Sequence, residues 1–212
     1  NNILLSGTAE ANSTVTVKDG ATTLGTATAD GSGNWTYQTG SLGVDATHGF
    51  TATSTDAAGN TSTGSSVFNV TVDTTIAAPA GLDLAAADDT GASNTDNLTK
   101  NTSGLTITGS GEEGAVVTLF DDTNGNGKQG GSEATLATGT VIGGTFSIDI
   151  ALPNGTTHLG AFQTDIAGNS SNNIGSTDLD ITVDTIADAA PTTSVVINDG
   201  DGFINNAEKA AV

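Results

Sequence analysis

Residues 55–74 read TDAAGNTSTGSSVFNVTVDT, and residues 164–185 read TDIAGNSSNNIGSTDLDITVDT. Each stretch opens on Asp, one residue, then Ala-Gly-Asn, which is turn chemistry. A Ser/Thr-rich loop follows, then an alternating strand (Phe68, Val70, Val72; Leu179, Ile181, Val183) that ends on Asp-Thr, with Pro79 or Pro191 shortly after. A unit that closes the same way twice is a repeat, and this repeat sets the reading of everything else.

Working outward, residues 5–17 (LSGTAEANSTVTV) match 107–119 (ITGSGEEGAVVTL) without a gap at a spacing of 102. Asp56 and Asp165 stand 109 apart, and Asp73 and Asp184 stand 111 apart. The growing offset places an insertion of about seven residues near 121–134 and makes one repeat 111 residues long. The expected domains are 1–73, a repeat without its N-terminal part; 74–185, a complete repeat; and 186–212, the opening of a third. On this reading the native protein continues in both directions.

Between the landmarks lie short β-branched runs bounded by Gly, Asn and Asp, at 3–8, 13–18, 22–29, 35–37, 48–55 and 67–72, with 80–86, 105–109 and 193–198 further on. No segment of ten residues holds a capped helical period. Strands of this length with turns every 8–12 residues indicate an all-β sandwich. Trp35 and Tyr37 alternate on one face as core plugs, with Phe146 and Ile148 at the matching positions.

The charge is extreme: 24 acidic residues against four Lys or Arg give −20, and only 35% of the chain is hydrophobic. That composition leans towards disorder, yet the apolar residues alternate cleanly. A neutralising cation reconciles the two. Nucleic acid is excluded as a partner, since nothing here offsets phosphate charge. No apolar run reaches membrane-spanning length, so no membrane insertion is expected in this segment. The absence of Cys removes thiol catalysis and thiolate metal sites. The net charge argues for a monomer.

One local motif is sharp. Asp122-Thr-Asn124-Gly-Asn126-Gly127-x5-Glu133 fits the calcium-loop pattern D-x-[DN]-x-[DN]-G-x5-E, with oxygen ligands at Asp122, Asn124, Asn126 and Glu133. Its flanks are strands, so it would be calcium-loop chemistry on a hairpin; a solvated Asn-Gly hairpin is the alternative.

Together, SGTAEANSTVTV, TGSGEEGAVVTL, ADGSGNW, the two TDxAGN turns and VDTT/VDTI before a Pro resemble the bacterial immunoglobulin-like repeats of giant, calcium-stabilised surface adhesins. The resemblance spans essentially the whole chain. It implies an elongated tandem of seven-stranded immunoglobulin-like sandwiches, a stalk role at the bacterial cell surface, adjacent repeats as partners, an adhesion ligand bound elsewhere in the full protein, and calcium at the domain junctions. The 121–134 insertion and a long polar loop at 87–101 depart from the plainest repeats.

In that topology Glu112, Glu113 and the Asp165–Asn169 turn share the N-terminal end of the second unit, where the first unit delivers Asp73. The expected junction ligands are therefore Asp73, Glu112, Glu113 and Asp165. Glu10 and Asp56 are the first-unit equivalents, and Asp184 is the next strand-end Asp. Further candidate calcium clusters are Asp88, Asp89 and Asp96, and Asp199, Asp201 and Glu208. Zinc does not fit a chain whose only imidazoles are His48 and His158. Those two sit at corresponding positions, which marks a structural residue, and no catalytic set is expected. The rival readings are a glycan- or protein-binding module and an accessory domain of a secreted polysaccharide-degrading enzyme.

Overall fold

The computed structural model describes residues 2–173 and 178–188, which form two β-sandwiches in tandem. The expected strand at 193–198 and the Asp199, Asp201, Glu208 cluster lie outside the described residues. In the first unit, β1 (Leu4–Thr8) pairs with β4 (Asn34–Gln38), opposite a sheet ordered β3 (Thr22–Thr28), β2 (Thr14–Asp19), β5 (Ala46–Thr55), β6 (Phe68–Val72). In the second, β12 (Thr145–Ala151), β9 (Ser103–Ser110) and β7 (Ala80–Leu84) form one sheet. The facing sheet runs β11 (Thr135–Thr140), β10 (Val116–Asp121), β13 (Gly155–Thr164), β14 (Leu179–Val183), β8 (Leu98–Thr99).

Superposed by strand order, β9 and β12 are the counterparts of β1 and β4, and β11-β10-β13-β14 correspond to β3-β2-β5-β6. The second unit adds β7 at one edge and β8, parallel to β14, at another. It therefore has eight strands rather than the seven implied by the resemblance. The extra one is a two-residue strand inside the 87–101 loop, too short to leave a periodic trace. Among the described residues nothing occupies the places of β7 and β8 in the first unit. An apolar groove lined by Leu5, Val15, Val17, Trp35, Phe50 and Val70 is open there.

Strict alternation builds the cores. β12 is buried at every second residue, so Phe146, Ile148 and Ile150 point inward while Ser147 and Asp149 face water. They pack with Leu105, Ile107, Val117, Leu119, Leu159 and Ile181 in the second core. The first core is smaller, built on Leu5, Val15, Val17, Leu42 and Phe50, with Trp35 and Tyr37 packed against it. The insertion sits in the β10–β11 hairpin, with strands on both sides. One 3-10 turn, Ser171–Asn173, is the sole helical element among the described residues, and no helix is long and apolar enough to cross a membrane.

Packing explains why Gly stands at the same place in β1 and in its counterpart β9. Gly7 pairs with Trp35, and Gly109 pairs with Phe146. A Cβ on Gly7 would stand 2.9 Å from the Trp35 ring, and one on Gly109 would stand 2.4 Å from the Phe146 ring. In each unit the ring of one strand covers bare backbone on its neighbour.

Candidate metal centre

The TDxAGN turn is built identically in both units. Asp165 Oδ1 accepts from the Asn169 amide at 2.8 Å while Oδ2 accepts from Asn169 Nδ2 at 2.8 Å. Asp56 and Asn60 repeat this at 2.8 and 2.7 Å. Gly168 and Gly59 carry the positive φ (94° and 89°) that closes the turn. Burial alone pushes the Asp165 carboxyl up, but the Asn169 side chain and the amides of Asn169, Gly168 and Ala167 outweigh it and hold the carboxyl below its ordinary value. In Asp56 the Asn60 side chain is the leading cause of the same lowering. Both turns therefore present an ionised carboxylate.

What differs is what arrives beside it. The Asp-Thr ending β6 divides its loyalties: Thr74 donates through its amide and hydroxyl to Asp45 Oδ1 (2.9 and 3.1 Å), back in its own unit. Asp73 is thereby turned towards the second unit, where Asn169 Nδ2 reaches its Oδ1 at 3.4 Å. Glu112 comes in from the β9–β10 turn. Carboxylate oxygens of Asp73, Glu112 and Asp165 all lie within 4.8 Å of one another. Thr185 repeats the device on Asn154 Oδ1 at 2.8 and 3.0 Å, so Asp184 is posed at the far end as Asp73 is at the near one.

The linker between the two units is packed down rather than free. Ile76 is buried in the second core. Gln163, 1% exposed, donates from Nε2 to the Ala77 carbonyl (2.9 Å) and accepts the Glu112 amide on Oε1 (3.0 Å). One buried amide thus ties the linker and the β9–β10 turn together. Sequence reasoning missed Gln163; its signal was a lone long polar residue in an inward register, where the first unit has Ser54.

Other candidates fall differently. Glu113 is not part of the cluster: its Oε2 accepts the Gly144 amide at 3.0 Å, which fastens the neighbouring hairpin. In the insertion, Asp122 and Glu133 are buried, but their oxygens are engaged within the loop. Asp122 accepts the amides of Asn126 and Gly127, and Glu133 accepts Asn124 Nδ2 and the Gly130 amide. Asn126 Oδ1 takes the Lys128 amide. All four residues share one loop, yet they bond chiefly to one another and to its backbone. Asp178, not anticipated from sequence, joins them. Loss of surrounding water and then the Asp122 charge push its carboxyl up, and the two share a hydrogen bond. Glu10 helps shape the β1–β2 turn, where its carbonyl accepts the Ser13 hydroxyl. Asp88 Oδ2 accepts the Thr106 amide, Asp96 Oδ1 the Leu98 amide, and Asp89 Oδ2 the amides of Asp96 and Asn97.

The two histidines are tied to carboxylates, at different partners: His48 Nδ1 to Asp19 (2.6 Å) on β2, and His158 Nδ1 to Asp180 (2.5 Å) on β14. The Asp19 and Asp180 hydrogen bonds raise both imidazoles above their ordinary 6.5. A group raised on folding stabilises the fold fully below its unfolded value and loses that contribution as pH rises through its folded value. In EDTA the melting temperature is therefore expected to fall as pH climbs above 6.5, and a His48→Gln/His158→Gln variant to flatten that fall. Identical profiles for the two proteins would remove the imidazoles from the account.

None of the curated proteins matches this chain. Among solved structures, that of the chicken CNTN1 FN1–FN3 domains is similar at 13% identity with a TM-score of 0.41, covering 85% of this chain and 60% of that one. This chain therefore spans less than two thirds of that structure. A sequence family described as the bacterial Ig-like domain matches twice, over residues 2–74 and 75–185, so the boundary between the matches falls directly after Asp73-Thr74. The chain belongs to the bacterial Ig-like domain family, with two tandem copies.

Proposed function

We propose that this chain is a stalk segment of a bacterial cell-surface adhesin, exported from the cell, in which calcium stiffens the joint between successive units. The observation that carries the reading is the meeting of Asp73 from one unit with Glu112 and Asp165 from the next. Calcium–oxygen distances of ~2.4 Å let two ligands of one ion stand up to ~4.8 Å apart, so three such oxygens fit a single ion. Without an ion the three carboxylates repel one another, a cost that water screens at the exposed Glu112 and that a divalent cation removes. The donors are all hard oxygens, and part of the site is open, which leaves room for the water that completes six to eight ligands.

The ion would supply charge neutralisation and a cross-link between units. The protein supplies the rest. Thr74 on Asp45 aims Asp73, the Asn169 turn holds Asp165 ionised, and Gln163 fixes the Glu112 turn against the linker. A joint fixed at the strand-end Asp of every unit makes a rod that projects a distal adhesion domain away from the cell.

Nitrogen-15 relaxation tests the reading directly. In millimolar calcium the two units are expected to tumble as one anisotropic body, and in EDTA with separate apparent correlation times. Indistinguishable tumbling in the two conditions would refute the stiffening mechanism.

A further inference from the structure

The two units differ in what covers one side of the core. In the second unit β7 pairs with the outer edge of β9, and Leu84, 1% exposed, joins Ile107 and Ile181 in the core. Leu179, Ile181 and Val183 on β14 are all buried. Their counterparts on β6 are not: Phe68 is 62% exposed, and Val70 and Val72 are half-buried. Phe68 and Val70 line the apolar groove of the first unit with Leu5, Val15 and Trp35.

The backbone at the rim of that groove is equally unfinished. Among the described residues β1 has one partner strand, β4. The Thr39 amide donates to the Ile3 carbonyl (2.9 Å) and the Ala9 amide to the Gly33 carbonyl (2.8 Å), so Ile3 and Ala9 face β4. Strand alternation then points the amides and carbonyls of Leu4, Ser6 and Thr8 to the free edge. On β9 the same edge is where β7 docks: the Ala85 amide donates to the carbonyl of Thr106, the counterpart of Leu4, at 2.9 Å. A free edge of this kind is a template for one more strand.

The sequence carries a second version of the strand that fits. Asp73-Thr74, Ile76 and Pro79 lead to Leu82 and Leu84; Asp184-Thr185, Ile186 and Pro191 lead to Val195 and Ile197. The apolar pair comes one residue later after Pro191 than after Pro79, and the irregular pairing of β7 between Ala80 and Asp83 shows that this edge absorbs such a difference. Residues 186–198 hold a single charged side chain, Asp188. They follow the end of β14 that lies beside Gly155, whereas the junction residue Asp165 lies past the other end of β13. The groove of the same chain is therefore a whole unit away.

We propose that residues 191–198 of a second copy enter this groove as an added strand on β1, with Val195 and Ile197 on its apolar side, so that copies join head to tail. Backbone bonds to Leu4, Ser6 and Thr8 supply affinity, and the apolar pair sets the register. The contact is heterologous, so it extends into open chains. The net charge of −20 opposes it, and salt screens that repulsion. Neither the backbone bonds nor the apolar contact needs a cation.

Sedimentation velocity of the 212-residue chain in EDTA is the test. The mean mass of the parent should rise from micromolar to millimolar protein, and rise further with NaCl. Val195→Asp/Ile197→Asp spoils the entering strand, and Ser6→Pro removes an edge amide that β4 does not use. Each variant alone should associate at least about tenfold more weakly than the parent, as loss of an anchor residue does. Their equimolar mixture should recover a dimer and nothing larger. Phe68→Asp, which charges a side chain already in water, replaces Ser6→Pro if that variant unfolds the first unit. A parent that stays monomeric throughout overturns the proposal, and so does a mixture that does. Association untouched by Val195→Asp/Ile197→Asp also overturns it, since two grooves would then be closing on each other.

Discussion

Transfer from EDTA to millimolar calcium is expected to raise the melting temperature of the second unit by about 10 °C, and Asp165→Asn to erase most of that rise. The magnitude follows from linkage: an ion that binds only the folded state adds roughly 2.7 kcal/mol at a hundredfold excess over Kd. Each kcal/mol is worth ~2–8 °C for domains of this size range. Asp165→Asn also disturbs the turn, so a loss of stability alone would not separate ligand from turn residue. The first unit provides the control. Asp56 makes the same bonds to Asn60 that Asp165 makes to Asn169, but only Asp165 belongs to the three-carboxylate cluster with Asp73 and Glu112. Asp56→Asn should therefore lower stability equally in EDTA and in calcium, whereas Asp165→Asn should lower it mainly in calcium. Equal calcium responses in the two variants would mean that the junction carboxylates are solvated.

The fold was legible because the evidence for it is internal to the chain. The rising offset of 102, 109 and 111 places the extra residues between β10 and β11, where the hairpin carries them. Strand alternation identified Phe146 and Ile148 as core, and they are buried. The eighth strand was not legible: β8 is two residues long, and its parallel pairing to β14 depends on tertiary contact rather than pattern.

The site was legible in part, along a clear physical line. Sequence order and sandwich topology sufficed to place Asp73, Glu112 and Asp165 at one end, because turns between known strands have fixed ends. Adjacent carboxylates in one turn are harder to separate. Glu112 and Glu113 look alike as sequence, but successive residues point apart, and Glu113 turns to the Gly144 amide. The loop at 122–133 shows the limit of motif spacing, since its pattern is equally satisfied by a hairpin whose amides bond its own carboxylates. Gln163 and Asp178 act through contacts with residues distant in sequence, which no local pattern reports.

Replacing Phe146 by Ala is expected to cost the second unit about 3–5 kcal/mol, the range for removing a buried aromatic ring. The informative variant is its partner, Gly109→Ala. Ala is ordinarily better than Gly inside regular structure by roughly 0.5–1 kcal/mol, so an unconstrained site would be stabilised. Here the new methyl would meet Phe146 Cζ at 2.4 Å and the Ala80 carbonyl at 3.1 Å. The ring is 4% exposed and packed among core residues, so it cannot swing aside freely. Overpacking should make Gly109→Ala destabilising by about 1–3 kcal/mol. In the double variant the ring is gone, and the glycine substitution should become nearly neutral, limited by the Ala80 contact. Urea unfolding in EDTA of the parent, both single variants and the double closes this cycle without any contribution from bound ion. Additive costs would show that ring and glycine are not coupled, and the Gly shared by β1 and β9 would then need another cause. Coupling of about 1–2 kcal/mol would instead make that Gly and the ring on β4 or β12 a single packing unit, repeated as Gly7 with Trp35.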